Sequence, residues 1–152
     1  MQIFLKYFLI LSFILLISCK KNDTNVDLIK ETSIDLQMID AYKKGLEELD
    51  KGDGLRAAKK FNEAELLYPQ SKWAPRASLM SAYSYYRSMY YNDAIAEIER
   101  FLKTYPDHRR TNYAYYLLAM SYYEQIVDEK KDIEPLLRAK ENFSIVVKNY
   151  PN

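Results

Sequence analysis

The sequence predicts an all-α solenoid of three helix pairs that follows an amino-terminal leader. Three observations carry this expectation. Gly and Pro are scarce, 3 and 5 in 152 residues, which leaves too little turn chemistry for a sandwich or barrel of many short strands. Three Tyr-Pro pairs, Tyr68-Pro69, Tyr105-Pro106 and Tyr150-Pro151, punctuate the chain at spacings of 37 and 45 residues, the range in which helical repeats fall. Apolar residues make up 49% of the chain and recur at helical spacing between those stops, so each segment has a face to bury.

Residues 1–18 read as a secretory signal: one early charge, Lys6, an apolar run from Tyr7 to Ile17, then the small Ser18. The uncharged run is too short to cross a bilayer comfortably as a helix. Leu16-Ile17-Ser18-Cys19 resembles the lipobox of bacterial lipoproteins. That resemblance implies a diacylglycerol on the Cys19 thiol, cleavage before Cys19 and acylation of the new terminus. Each buried CH₂ of such chains contributes about 0.8 kcal/mol, so several chains hold a folded body on a membrane. Lys20 rather than Asp follows the cysteine, which in the lipoprotein family marks an outer-membrane destination. From there to residue 34 the chain is polar and aperiodic, so 19–34 reads as a lipidated terminus and flexible tether.

Residues 35–152 carry the repeats, in units of about 36–70, 74–107 and 111–152. Let each proline close a tetratricopeptide repeat of about 34 residues. Gly45, Ala57, Phe61 and Ala64 then take the small, small, large and small signature positions of the first unit. In the second unit Ala82 stands where Gly45 does and Ala94 where Ala57 does, and Tyr85 takes a further signature position three residues after Ala82. Small residues let two antiparallel helices approach, a large one fills the gap, and proline stops the second helix. In the third unit Ala119 and Tyr122 match at once, while Ala139 and Phe143 fit after an eight-residue insertion at 128–135. That insertion reads as a charged, solvated loop. The predicted helices are 36–50 and 54–67, 74–89 and 92–104, 111–127 and 135–149, with Asp53 and Asn92 as N-caps. Neighbouring pairs stack into a right-handed solenoid. The last helix carries Phe143, Ile145, Val146 and Val147, an uncapped face that predicts further repeats or a covering partner.

Composition excludes several functions. Lys+Arg number 22 and Asp+Glu 21, too balanced for nucleic-acid binding, which needs clustered excess cations. Loss of residues 1–18 removes only Lys6 and leaves 21 charges of each sign, so no bulk field steers a partner. Cys19 is the only cysteine and His108 the only histidine, which excludes an intramolecular disulfide, a multi-cysteine zinc site and a two-His metal motif. No phosphate-binding Gly loop, Ser-centred elbow or metal spacing is present, so neither catalysis nor a cofactor is expected. Glu47/Glu48 and Glu97/Glu99 read as solvated helix faces, and His108 as a turn residue.

Lipobox, tether, Tyr-Pro-closed units and a charged third-unit insertion occur together in one family. With Ala82-Tyr83-Ser84-Tyr85-Tyr86-Arg87, Ala94 to Phe101, Tyr113 to Met120 and Ser121 to Ile126, the chain resembles the first three-fifths of the BamD family. These are lipoproteins of the β-barrel assembly machinery at Gram-negative outer membranes. The resemblance implies an outer-membrane, lipid-anchored protein on the periplasmic face. Its first repeats would receive unfolded outer-membrane β-barrel precursors and an extended segment of a sister subunit. The family's carboxy-terminal repeats, which dock on the barrel subunit, lie beyond the match. In such solenoids the first helix of each unit lines the concave face. That face would comprise Tyr42 and Leu46, then Leu79, Tyr83, Tyr86 and Arg87, then Tyr113, Tyr116, Met120 and Tyr123. Tyrosine offers contact area at low entropy cost plus a hydroxyl for a peptide backbone. A second reading is a tetratricopeptide scaffold lipoprotein that organises cell-wall or cell-division factors.

Overall fold

The computed structural model describes residues 33–126 and 132–151. Cys19, the leader, the tether up to residue 32 and residues 128–131 of the insertion lie outside the described residues. Among the described residues six helices follow one another: α1 (Ile34–Asp50), α2 (Gly54–Leu67), α3 (Ala74–Arg87), α4 (Tyr91–Thr104), α5 (Thr111–Tyr123) and α6 (Glu134–Asn149). No strand occurs among the described residues. Each helix packs on the next, and α3 also touches α5. This is the neighbour-to-neighbour pattern of stacked helix pairs, and the all-α repeat fold stands.

Local chemistry explains where the helices begin and end. Ser33 caps α1 by accepting from the Leu36 N–H at 3.4 Å, so the helix starts two residues earlier than predicted. Asp53 caps α2 as expected, its Oδ1 accepting from the Arg56 N–H at 3.0 Å. The turn between them is a Schellman motif. Gly52 N–H donates to Leu49 O at 3.1 Å, Asp53 N–H donates to Glu48 O at 2.9 Å, and Gly52 stands at φ +83°. The same motif recurs 37 residues on. Met89 N–H donates to Tyr86 O and Tyr90 N–H to Tyr85 O, both at 3.0 Å, with Met89 at φ +63°. This turn corrects two expectations. It ends α3 at Arg87 instead of residue 89, and it puts Tyr90, not Asn92, in the residue before α4. Tyr90 makes no side-chain cap, and Asn92 lies inside the helix. Helix α5 likewise stops at Tyr123, four residues short of the predicted end.

The small residues sit where helices meet. A Cβ at Gly45 would stand 2.7 Å from Cε1 of Phe61, so only glycine lets α1 close on that ring. Ala57, Ala82, Ala94 and Ala119 are fully buried, and Ala139 nearly so. Phe61, Ile98, Phe101 and Leu117 fill the spaces between helices, each burial contributing about 1.5–3 kcal/mol. Phe143 departs from this pattern. It is only half-buried and meets the Tyr116 ring edge-on at 6.2 Å.

A polar knot ties the first unit to the second. The Glu65 carboxylate on α2 is 6% exposed. It accepts from both terminal nitrogens of Arg100 on α4, at 2.9 and 2.7 Å, and from the Tyr105 hydroxyl at 2.8 Å. Arg100 also donates to Ser78 Oγ on α3 at 3.0 Å and to Glu97 at 2.8 Å. The Glu65 hydrogen bond raises the Arg100 pKa. Burial, then the bond to Glu65, pushes the Tyr105 phenol up to about 12. Glu65→Leu strips acceptors from two donors and is expected to destabilise by about 1–3 kcal/mol. Glu65→Leu combined with Arg100→Leu should lose clearly less than the sum of the two single changes. Urea unfolding followed by circular dichroism reads this cycle, and additive losses would show that the pair contributes nothing.

Candidate functional site

The first helices of the three units, α1, α3 and α5, enclose a recess of about 270 Å³. Helix α3 supplies Arg76, Leu79, Met80 and Tyr83, a stripe at spacings of three and four along one helix face. Tyr42 enters from α1, and Arg110 and Tyr113 from the start of α5. The Tyr42 ring meets Phe61 edge-on at 5.1 Å and Trp73 at 5.3 Å. The Arg76 guanidinium lies 5.1 Å from the Trp73 ring centroid, a cation–π contact.

Four of the sequence-predicted groove residues therefore converge: Tyr42, Leu79, Tyr83 and Tyr113. Leu79 is only 4% exposed and belongs mainly to the core. Tyr86, Tyr116, Met120 and Tyr123 lie further along α3 and α5, outside the recess. Tyr113 and Tyr116 ring centroids are 6.4 Å apart, and Tyr116 and Tyr123 are 44% and 55% exposed. Leu46 and Arg87 are exposed and do not line the recess. Burial raises the phenol pKa of Tyr42, Tyr86 and Tyr113, so these hydroxyls stay protonated and can both donate and accept. Tyr83, Tyr86 and Tyr113 pack against one core cluster, and Tyr116 adjoins Tyr113.

Sequence reasoning missed Arg76, Met80 and Arg110. Arg76 stands one 37-residue repeat before Tyr113, a groove position that a search for aromatic residues passes over. Arg110 immediately precedes α5, so helical periodicity does not reveal it. Among the described residues no three His, Cys, Asp or Glu side chains are grouped to hold a metal.

The fold and this recess define a class: a helical-repeat protein with a tyrosine-rich hollow on its first-helix face. The chain belongs to the YfiO outer membrane lipoprotein family, whose family model matches residues 34–152. It is 38% identical over 111 residues to the outer membrane protein assembly factor BamD of Caulobacter vibrioides, covering 73% of this chain and 36% of that protein. The assembly factor BamD of Rickettsia prowazekii is 33% identical, with 73% and 44% covered. That of Neisseria meningitidis serogroup A is 27% identical over 157 residues, with 97% and 59% covered. The chain thus spans between about one third and three fifths of these relatives' lengths. Family membership associates it with the outer membrane.

His108 sits in the turn before α5. Its Nδ1 accepts from the Arg110 N–H at 3.3 Å, and its ring meets Phe101 edge-on at 5.6 Å. Burial, then Arg109, Arg110 and Arg76, lowers its pKa from the usual 6.5. The folded state therefore resists protonation more than the unfolded chain does. The resulting stability is fully present above pH 6.5 and is lost as pH falls through the depressed folded value. His108→Gln keeps an acceptor without the titration. It is expected to flatten the fall in melting temperature below pH 6.5, and thermal melts across that range check it.

Proposed function

We propose that this chain is a non-enzymatic, periplasm-facing lipoprotein subunit of a β-barrel assembly machinery. Its tyrosine-lined furrow holds extended segments of unfolded outer-membrane proteins, and the body also meets other subunits. In this reading residues 1–18 are removed as a lipoprotein signal, Cys19 carries the lipid, and the polar stretch behind it lets the repeats reach their partners. The observation that carries the proposal is the row of tyrosines on the first-helix face, Tyr83 and Tyr113 in the recess and Tyr86 and Tyr116 beyond it. Barrel precursors end in segments of alternating aromatic residues, whose rings suit a phenol-lined surface. The names of the relatives, all outer membrane protein assembly factors, support the assignment.

Two experiments test it. Aromatic side chains that bury on binding typically cost 1–2 kcal/mol or more when truncated. Tyr83→Ala with Tyr116→Ala should then weaken binding of a carboxy-terminal barrel-precursor peptide by roughly tenfold or more. Fluorescence anisotropy with the labelled peptide, set against a scrambled one, reads this, and a thermal melt confirms that the variant is folded. A folded variant that binds unchanged, or equal binding of the scrambled peptide, would move the scaffold reading ahead. For the anchor, Cys19→Ala should abolish lipid labelling of the chain, and labelling that persists would show that the lipid is elsewhere.

A further inference from the structure

The near-neutral total charge is unevenly divided between the two long edges of the stack. Short turns join helices that double back on one another, so every second turn falls on the same edge. The start of α1, the α2–α3 and α4–α5 turns and the end of α6 share one edge. There the Tyr105 hydroxyl, bonded to Glu65 at 2.8 Å, ties the end of α4 to the end of α2. The α1–α2 and α3–α4 turns and the described ends of the α5–α6 connection share the other edge. On that side a Cβ at Gly54 would stand 2.4 Å from Ser84 O, so the two turns are close neighbours. Within the turns and the terminal four residues of each helix, the first edge carries six cations: Lys72, Arg76, Lys103, Arg109, Arg110 and Lys148. Its acids are three, Asp35, Asp107 and Glu65, and Glu65 is already paired with Arg100. The described residues of the second edge hold eight acids, Asp50, Asp53, Asp93 and Glu124 among them, against Lys51, Arg56 and Arg87. One edge is net positive and the other net negative.

We infer that the positive edge lies against a bilayer surface containing anionic lipids, with Tyr68 and Trp73 at headgroup level and Lys72, Lys103 and Arg109 on the phosphates. This rests on the reading of Cys19 as the lipid anchor and gives the anchored body an orientation. Apolar groups alone do not choose between the edges, because both expose them. On the positive edge they are Ile34, Leu36, Leu66, Tyr68, Trp73 and Tyr150, and on the negative edge Leu55, Met89, Tyr90, Tyr123 and Ile133. Charge decides, since an anionic leaflet attracts the first edge and repels the second. The anchor acts in the same direction. Ser33 stands fourteen positions after Cys19, a stretch that spans at most about 50 Å when fully extended. Helix α1 begins there, on the positive edge, and its 17 residues put the opposite edge about 25 Å further from the attachment. Trp and Tyr suit the headgroup layer because an apolar ring and a polar tip are both satisfied in it. Apolar burial and attraction to anionic headgroups then add in one surface.

Trp73 is the only tryptophan in the chain, so its fluorescence reports on this edge. The test uses the full lipid-bearing chain reconstituted in vesicles whose acyl chains are brominated close to the headgroup. One set is phosphatidylcholine with about 30% phosphatidylglycerol, the other phosphatidylcholine alone. Co-flotation with the vesicles reads the anchor, and quenching by bromine reads the edge. In the anionic vesicles at about 0.1 M salt Trp73 is expected to lose most of its emission. The quenching should fade at about 1 M salt, where the screening length is only about 3 Å. Lys72→Gln with Lys103→Gln and Arg109→Gln should weaken docking roughly a hundredfold and restore the emission. A reporter moved to the other edge, Trp73→Phe with Tyr90→Trp, should remain unquenched, with circular dichroism to show that each variant is folded. A chain that floats while Trp73 stays unquenched would overturn this inference and leave the anchor reading standing. So would equal quenching of the two reporters, equal quenching in phosphatidylcholine alone, or undiminished quenching in the triple variant. A chain that floats with neither set of vesicles would overturn the anchor reading and this inference with it.

Discussion

A carboxylate cannot be taken out of water unless donors replace the water it loses. Glu65 is buried at the junction of α2, α3 and α4, and that requirement organises the neighbourhood around it. Arg100 must present both terminal nitrogens, Tyr105 must turn its hydroxyl inward, and Ser78 must meet the same guanidinium. Three helices from two units are thereby held at one mutual position. Apolar packing alone is less particular, because rings and methyl groups tolerate small slides whereas a two-toothed ion pair does not. Since Ser78 lies next to Leu79 on α3, the knot on one side of that helix sets the position of the recess on the other.

Close approach is the second ingredient. Gly45, Ala57, Ala82 and Ala94 bring the helices near enough for large residues to reach across the interfaces. The tyrosines that remain on the first-helix face are then supported from behind. Tyr83, Tyr86 and Tyr113 pack against the central core formed by Leu79, Ile98, Phe101 and Leu117. These three residues are half-buried. Rigid, partly exposed aromatic rings lose little conformational entropy when a partner covers them. The repeat architecture and the contact surface thus follow from one arrangement of small and large residues.

Much of this could be read from the residues. Proline spacing and the small positions located all six helices, because steric punctuation is local and repeats itself. The tyrosines of α3 and α5 were placed on one face by the same periodicity. Other features depended on what the fold brings together. Leu79 matched a groove position, but the turn of α3 carries it into the core. Arg110 became part of the recess only because the chain reverses before α5, and a balanced total of charges says nothing about two arginines that line one recess. The end of α3 was misread because glycine and asparagine are the usual signs of a left-handed residue, and here a methionine adopts that conformation.

That methionine makes one turn depend on packing. The first hairpin closes with Gly52, which enters the left-handed region freely, and with Asp53, which caps the following helix. The second reaches the same geometry through Met89 at φ +63° and has no side-chain cap, at a backbone cost of about 1–2 kcal/mol. The first turn is specified by its own residues, whereas the second is held against its local preference by the packing of the two helices it joins. The position of α4 on α3 therefore rests on that packing and not on the turn itself.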